Sequence, residues 1–507
     1  MRPIQSNGGN LIEIAQSSLR LRPSSLAADT WEASPYKATP TIIEAAKSLY
    51  REHGVSEITR SDASHKNLTT TSAYVKTVVS RSRAEKEKSI CFITGVPGSG
   101  KTLAGLNIAT ELLSASKKDQ SVFLSGNGPL VDVLREALVR DNITRARERG
   151  IKISRQNAAR KSNTFIQNVH HFRDDQLATQ EAPINKVVVF DEAQRAWNQK
   201  MTASFMKLKK NVEDFSLSEP GFLLSVMDRH DDWCTVVCLV GEGQEINRGE
   251  AGLKEWLDTL QANYPHWNVF LSPRLETQSL NMPKVSYPSR WNVSSDLHLE
   301  VSLRSFRSER VSEFINYLIE GNIAAATESA TRLNNFPIAV TRDLKRAKDW
   351  IRSNCRGTER CGMLASSNAI RLRPFGMNVK VSINPSDWFL NEIPDVRSSN
   401  ALEEPATEFD TQGLEVDWAL VGWDANLRWE TSDWETWSFK GTKWQAIRDS
   451  ERKNFLKNAY RVLLTRARQG LVVFIPPGDD GDSTRMRQYY DPTYELLKLV
   501  GLEDLDQ

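Results

Sequence analysis

Disulfide-forming capacity is the first thing this sequence lacks. Five cysteines (Cys91, Cys234, Cys238, Cys355 and Cys361) are few and odd in number for 507 residues. That count argues against a disulfide framework and fits reduced thiols in a cytosol-like compartment. Cys234 and Cys238 sit in an apolar run with no close His or Cys pair to complete a tetrahedron, so no zinc site is expected. Long apolar runs are missing as well. Nowhere do eighteen apolar residues follow one another, and the first residues have no apolar core of the signal-peptide kind. The expectation is a soluble, cytoplasmic chain with no membrane association. Excess charge is also absent: a net charge of +2 excludes a global polycation, so any basic binding surface must be local.

What is present is enough apolar material for proper cores, 39% of residues. The length suits two or three domains rather than one. Residues 1 to about 35 are polar, and helical spacing begins with Ile42, Ile43, Ala46, Leu49 and Tyr50. Short apolar runs then alternate with helical stretches. Strands are predicted at Ile90–Thr94, Val122–Ser125, Val187–Phe190, Val236–Val240 and Val269–Leu271, with helices such as Leu103–Leu113 and Pro129–Val139 between them. After a Ser-, Pro- and Asn-rich stretch over 272–300, read as a linker, the pattern resumes. Its strands are Pro337–Thr341, Cys361–Ala365, Ala419–Gly422 and Leu471–Ile475, with helices around 309–333, 343–354 and 453–465. Strands apolar on both faces and separated by helices signal parallel sheets covered by helices. The predicted organisation is an α/β chain: a partly helical N-terminal extension over 1–80, a first α/β domain over 81–290 and a second over 291–507.

Gly95-Val-Pro-Gly98-Ser99-Gly100-Lys101-Thr102 follows one predicted strand and opens a predicted helix. Glycines let backbone N–H groups crowd around phosphate oxygens, and the helix N-terminus adds partial positive charge. Lys101 is then expected to reach the β and γ phosphates, and the Thr102 hydroxyl to coordinate Mg²⁺. Val187-Val-Val-Phe-Asp191-Glu192-Ala-Gln194-Arg195 places two carboxylates where a core strand ends. Asp191 is expected at the metal, and Glu192 beside the attacking water as its base. Val236–Val240 leads to Gly241-Glu-Gly243-Gln244, where Gln244 is a candidate γ-phosphate sensor. Arg307 and Arg466 stand in two arginine-bearing strings of the second block, Leu303–Ser308 and Tyr460–Arg468. An arginine facing the nucleotide from a second domain stabilises the transition-state charge strongly, whereas a single surface arginine is ordinarily just solvated.

The order of these strings resembles a superfamily 1 helicase, and within that group the Schlafen-type DNA/RNA helicase domain found in many bacterial proteins. The resemblance is carried by Ile93–Thr102, Phe123–Val131, Asp191–Trp197, Gly243–Ile246, Thr407–Glu415 and Arg461–Arg468, and runs from about Trp31 to the C-terminus. It implies two RecA-like P-loop domains with ATP in the cleft between them and a nucleic-acid strand across their top. By position it implies a first-domain ATP and Mg²⁺ site of Lys101, Thr102, Asp191, Glu192, Gln194 and Gln244. Arg307 and Arg466 become the second-domain γ-phosphate arginines, and Gly413 and Glu415 lie near the ribose and the domain interface. Many relatives carry His or a basic residue where this chain has Phe409 and Gln412, which weakens the expectation of strand contact from that loop. No upstream glutamine motif for reading adenine is evident, so ATP rather than GTP is implied by the resemblance alone.

Arg140 to Lys161 holds eight basic side chains against two acidic ones, among them Arg145, Arg147, Arg149, Lys152 and Arg155. Such a run is a candidate phosphate-contacting surface for DNA or RNA, in single-stranded form, though a charge run is often only a solvated face. Asn168–Phe172 resembles a strand-contact motif of RecD-like relatives, which adds His170. The cluster Trp423, Trp429, Trp434, Trp437 and Trp444 is read as packing rather than base stacking. The leading expectation is an ATP-dependent helicase or translocase. The alternative, from another class, is a nucleotide-gated switch that hydrolyses ATP on nucleic acid and recruits a partner, such as a nuclease in host defence, without unwinding.

Overall fold

The computed structural model describes residues 41–51, 62–95, 98–115, 120–241, 252–275, 289–300, 306–333 and 336–507. The chain enters through helices α1 (Ile42–Tyr50) and α2 (Asp62–Glu85), then β1 (Lys88–Gly95), α3 (Lys101–Ala115), β2 (Gln120–Ser125) and α4 (Gly128–Glu148). It continues through α5 (Arg155–Phe165), β3 (Ile166–Asn168), α6 (Val169–Leu177), β4 (Asn185–Asp191), α7 (Gln199–Lys210) and α8 (Glu219–Met227). The strands β5 (Cys234–Leu239), β6 (Asn268–Leu271), β7 (Trp291–Val293) and β8 (His298–Leu299), with α9 (Gly252–Asn263) after β5, complete the first sheet.

That sheet is parallel throughout, in the order β3-β2-β4-β5-β1-β6-β7, with β8 pairing the end of β1. Residue alternation along each strand explains the two-sided burial. Cys91 and Ile93 of β1, Phe123 of β2 and Val187 and Val189 of β4 enter one apolar cluster with α3 and α4. Their neighbours Ile90, Phe92, Val122, Val188 and Phe190 enter another, shared with α8 and α9. A period of two with both faces apolar is what a central parallel strand requires.

In the second unit, α10 (Phe306–Glu320) and α11 (Ile323–Ala330) precede β9 (Ile338–Thr341), α12 (Leu344–Asn354), β10 (Cys361–Ala365), α13 (Pro385–Leu390) and β11 (Val416–Gly422). An insertion of β12 (Leu427–Glu430), β13 (Asp433–Lys440) and β14 (Lys443–Ala446) follows, then α14 (Ser450–Leu464), β15 (Ala467–Phe474), α15 (Asp491–Leu499) and β16 (Glu503–Asp504). The five-stranded sheet β10-β11-β15-β9-β16 is also parallel. The fold is therefore α/β with two parallel sheets, and each of the nine predicted strands lies on a strand observed here.

The differences have local causes. The predicted helix 309–333 breaks at Gly321, which adopts φ +79°. The stretch 272–300, read as a linker, contains β7 and β8, so the first sheet extends past the boundary expected at 290. Both strands are too short to stand out against their polar neighbours. The antiparallel sheet β12-β13-β14 was not anticipated. Its indoles pack inward: Trp434 stacks at 5.2 Å on Trp423, which follows β11 and lies 4.5 Å from Tyr460, while the Trp434 and Trp444 N–H groups donate to the carbonyls of Leu318 and Thr484.

Asp424 lies fully buried just past the end of β11. It accepts from the Arg371 and Ala425 N–H groups and from the Tyr490 hydroxyl, at 2.9, 2.7 and 3.1 Å. Burial outweighs these donors and pushes its carboxyl up to about 6. A carboxyl raised in the folded state is least costly when protonated, so its contribution to stability falls as pH rises from about 4 through 6. The gap between the ordinary carboxyl value of 3.8 and about 6 corresponds to about 3 kcal/mol. We expect Asp424→Asn to gain on wild type by about that amount between pH 4 and pH 7 in urea unfolding. A difference independent of pH contradicts this assignment.

Candidate active site

Parallel sheets present ligands at the carboxyl ends of their strands, and β5 lies between β1 and β4 in the first sheet. The residues following these three adjacent strands therefore meet along one edge. After β1, Gly98 and Gly100 adopt φ +78° and +81°, a left-handed geometry that glycine adopts freely. Gly95 is packed so closely that a Cβ there would fall 2.3 Å from Ser99 Oγ. The Lys101 ammonium donates to the Gly95 carbonyl at 2.9 Å, curling back over the loop.

From β4, Asp191 meets Thr102, whose hydroxyl donates to the two carboxylate oxygens at 3.3 and 3.4 Å. Asp191 is buried, and its carboxyl is shifted upward, first by burial and then by the neighbouring charge of Glu192. Thr102 and Lys101 pull in the opposite direction.

Glu192 has φ +54° and ψ +46°, a left-handed conformation for a residue with a full side chain. Such strain persists only where the surroundings hold it. The Gln194 amide donates to Glu192 Oε2 at 2.5 Å, and its carbonyl oxygen accepts from the Gly241 N–H at 2.9 Å. One side chain thus ties the Asp191–Glu192 turn to the end of β5. From behind, the buried Trp256 indole donates to the Ala193 carbonyl at 2.9 Å and packs against Phe92 and Phe190. Farther along, the Trp197 N–H donates to Glu219 Oε2 at 3.0 Å while the Glu219 N–H donates to the Trp197 carbonyl at 2.9 Å.

The residues present fit a nucleoside triphosphate with Mg²⁺. Ser99 Oγ is buried with no hydrogen-bond partner among the described residues, as a hydroxyl awaiting an acceptor would be. The left-handed glycines open the loop, Lys101 is at hand, and Thr102 with Asp191 supplies the hard oxygen donors that Mg²⁺ prefers.

The structure brings Gly95, Gly98, Ser99, Gly100, Lys101, Thr102, Asp191, Glu192 and Gln194 to this edge. The second unit reaches it through the loop before β11. Asn127, which caps α4, donates from Nδ2 to the Gln412 carbonyl at 2.5 Å. Gly413 has φ +70°, and a Cβ there would meet Asn127 and Leu130 at 3.3 Å, so this approach favours glycine twice over. Glu415 is half-buried at the foot of β11. Gln244 lies outside the described residues. Arg307 stands in the first turn of α10, with its side chain outside the described residues. Arg466 is buried just before β15, its Nε donating to the Val462 carbonyl at 3.1 Å.

Between the units lies a cleft of about 200 Å³ lined by Asn127, His170, Glu192, Trp197, Phe409 and Gln412, among others. Phe409 and Gln412 both line it, and Phe409 is exposed. His170 lies 4.7 Å from the Trp197 ring. The basic segment divides. Arg140 pairs with Glu136 and donates to the Leu390 carbonyl and Asn391 Oδ1 of the second unit, and Arg155 also pairs with Glu136. Arg147, Arg149 and Lys152 are exposed where α4 ends, with Arg145 half-buried beside them.

Sequence reasoning missed Gly241, Trp256 and Glu219. Each acts through a backbone atom or a buried contact, which leaves no local signature in the sequence.

Among solved structures, the chain is similar to the Pyrococcus furiosus Hef helicase domain, with 10% identity, 81% of this chain and 96% of that chain covered, and a TM-score of 0.27. A superposition that loose carries no argument. None of the curated proteins matches the sequence. The family model for the Schlafen group 3 DNA/RNA helicase domain matches residues 88–477, a span from the first residue of β1 to just past β15. That span takes in both parallel sheets' central strands and every site residue named above, and the chain belongs to the Schlafen group 3 DNA/RNA helicase domain family.

Proposed function

We propose that this chain is an ATP-dependent motor on single-stranded DNA or RNA, a helicase or translocase that hydrolyses ATP with Mg²⁺ where its two α/β units meet. The observation that carries the reading is the convergence of Lys101, Thr102, Asp191, Glu192 and Gln194 at adjacent strand ends, with Asn127 of the first unit bonded to Gln412 of the second. Family membership supports the same coarse activity. The cysteines, each a free thiol, suit a reducing, cytoplasm-like compartment.

Bound Mg²⁺ would neutralise charge on the β and γ phosphates. The protein's part is positioning and proton handling. The loop N–H groups and the Lys101 ammonium hold the phosphates, Lys101 leaving the Gly95 carbonyl to do so. Glu192 orients the attacking water and takes its proton on a carboxylate oxygen. Gln194, bonded to both Glu192 and Gly241, keeps that carboxylate in register with the loop after β5. Arg307 and Arg466 are the candidates for stabilising the transition-state charge from the second unit. Domain closure then links the nucleotide to strand grip, because the Gln412–Gly413 loop touches both the α4 cap and the cleft.

Three outcomes follow. Lys101→Ala should lower ATP turnover by at least about 100-fold in a phosphate-release assay; turnover near the wild-type value contradicts the site. Gln194→Ala should lower kcat by about 10- to 100-fold, with little change in KM, because it loosens Glu192 without touching the phosphate loop. Replacing Arg147, Arg149 and Lys152 together by Gln should reduce the slope of log affinity against log salt for single strands by about 2. An unchanged slope removes this surface from the binding path.

A further inference from the structure

The turn that presents Glu192 is fastened on both sides. Gln194 secures it toward β5, and the reciprocal Trp197–Glu219 bonds secure the chain as it leaves. Glu219 is only 4% exposed, at the start of α8, where Ser218 caps the helix. Its second oxygen, Oε1, has no hydrogen-bond partner among the described residues, yet lies 3.5 Å from His170 Nδ1 and 4.0 Å from the Arg173 guanidinium. Arg173 is buried against Phe205 at 4.6 Å and beside Asp174 at 3.4 Å, and its Nη1 donates to His170 Nδ1 at 3.3 Å. His170 differs: its side chain is 29% exposed and lines the cleft that Phe409 and Gln412 close from the second unit. One buried carboxylate therefore grips the Glu192-bearing segment with one oxygen and faces a side chain of the cleft with the other.

We propose that Glu219 is a positioning residue for ATP hydrolysis. Through Trp197 it holds the turn that presents Glu192, and through His170 it makes that hold depend on what occupies the cleft. This deepens the motor reading and rests on it. A buried carboxylate is costly to leave without donors, so its orientation follows them. Arg173 Nη1 donates to His170 Nδ1 and not to Oε1, so the imidazole and the carboxylate compete for one buried guanidinium. A strand segment that turns the imidazole away frees that guanidinium N–H for Oε1, the carboxylate settles toward Arg173, and Oε2 carries the Trp197 N–H with it. Glu192, in a strained conformation two residues before Gln194, responds to displacements well under an ångström. Strand binding and water activation are coupled in this way without contact between strand and nucleotide.

The test is steady-state ATP hydrolysis by the full chain, with and without saturating oligothymidylate or oligouridylate. It compares wild type, Glu219→Gln, His170→Phe and the double variant. Glu219→Gln keeps an acceptor for the Trp197 N–H but loses the charge that faces His170 and Arg173. His170→Phe keeps a ring against Trp197 and removes Nδ1. Glu219→Gln should lower strand-stimulated kcat by about 10- to 100-fold while KM for ATP stays within about twofold, as a positioning defect should, and His170→Phe should hydrolyse ATP at a rate that no longer responds to strand. The double variant should be no slower than Glu219→Gln alone, since both changes cut the same connection. Additive losses, unchanged stimulation, or a loss confined to KM overturn the proposal. If near-ultraviolet circular dichroism shows Glu219→Gln unfolded, His170→Phe decides alone, and full stimulation in it overturns the proposal. A wild type that hydrolyses ATP without responding to either strand overturns the coupling and leaves hydrolysis standing. A wild type with no hydrolysis overturns the motor reading, and this proposal with it.

Discussion

A single amide organises the candidate site. Gln194 donates to Glu192 and accepts from Gly241, and so joins the ends of β4 and β5 at the point where the backbone is least comfortable. A left-handed glutamate costs about 1–3 kcal/mol and relaxes unless neighbouring groups determine it. Trp256 on the Ala193 carbonyl and Glu219 on Trp197 supply the remaining constraint. The strain and its fastenings together give a carboxylate a fixed place beside the phosphate loop. A carboxylate so placed can serve as a base without reorganising at the moment of reaction.

The same economy appears at the seam between the units. Asn127 caps the start of α4 with its side-chain oxygen and holds Gln412 with its side-chain nitrogen, so one residue begins both a helix and an interface. Lower on α4, Arg140 reaches Leu390 and Asn391 of the second unit. The helix is thereby tied twice to the second unit, and its far end exposes Arg147 and Arg149. Movement of one unit against the other would be transmitted along α4 to that basic end, because a helix is stiff along its axis.

Much of the architecture was legible from residue pattern. Strands buried on both faces must be apolar at consecutive positions, as Ile90–Ile93 and Val187–Phe190 are, and the pattern needs no tertiary information. Strands of two or three residues at a sheet edge, such as Trp291–Val293 and His298–Leu299, owe their pairing to a neighbour already in place and show no such run. The β12-β13-β14 insertion was hidden for another reason. Its tryptophans Trp434 and Trp444 are tied to Leu318 and Thr484, residues remote in sequence, so their spacing within the insertion does not disclose a sheet.

By itself the sequence determined the chemistry on offer: a glycine-rich loop ending in Lys101 and Thr102, and a core strand ending in Asp191 and Glu192. These depend on short-range order, because a phosphate cradle and a strand-end carboxylate are built from consecutive residues. Only the tertiary structure decided how that chemistry is held. Gln194 meets Gly241, Trp197 meets Glu219, and Phe409 faces His170 across a cleft because β5 lies between β1 and β4 and because the second unit docks on α4. Contacts between distant segments are set by packing of whole elements, and no local spacing encodes them. The basic segment shows the division most plainly. Composition marked it as one run of charge, and folding ties Arg140 to the second unit and pairs the exposed Arg155 with Glu136 while leaving Arg147, Arg149 and Lys152 to solvent.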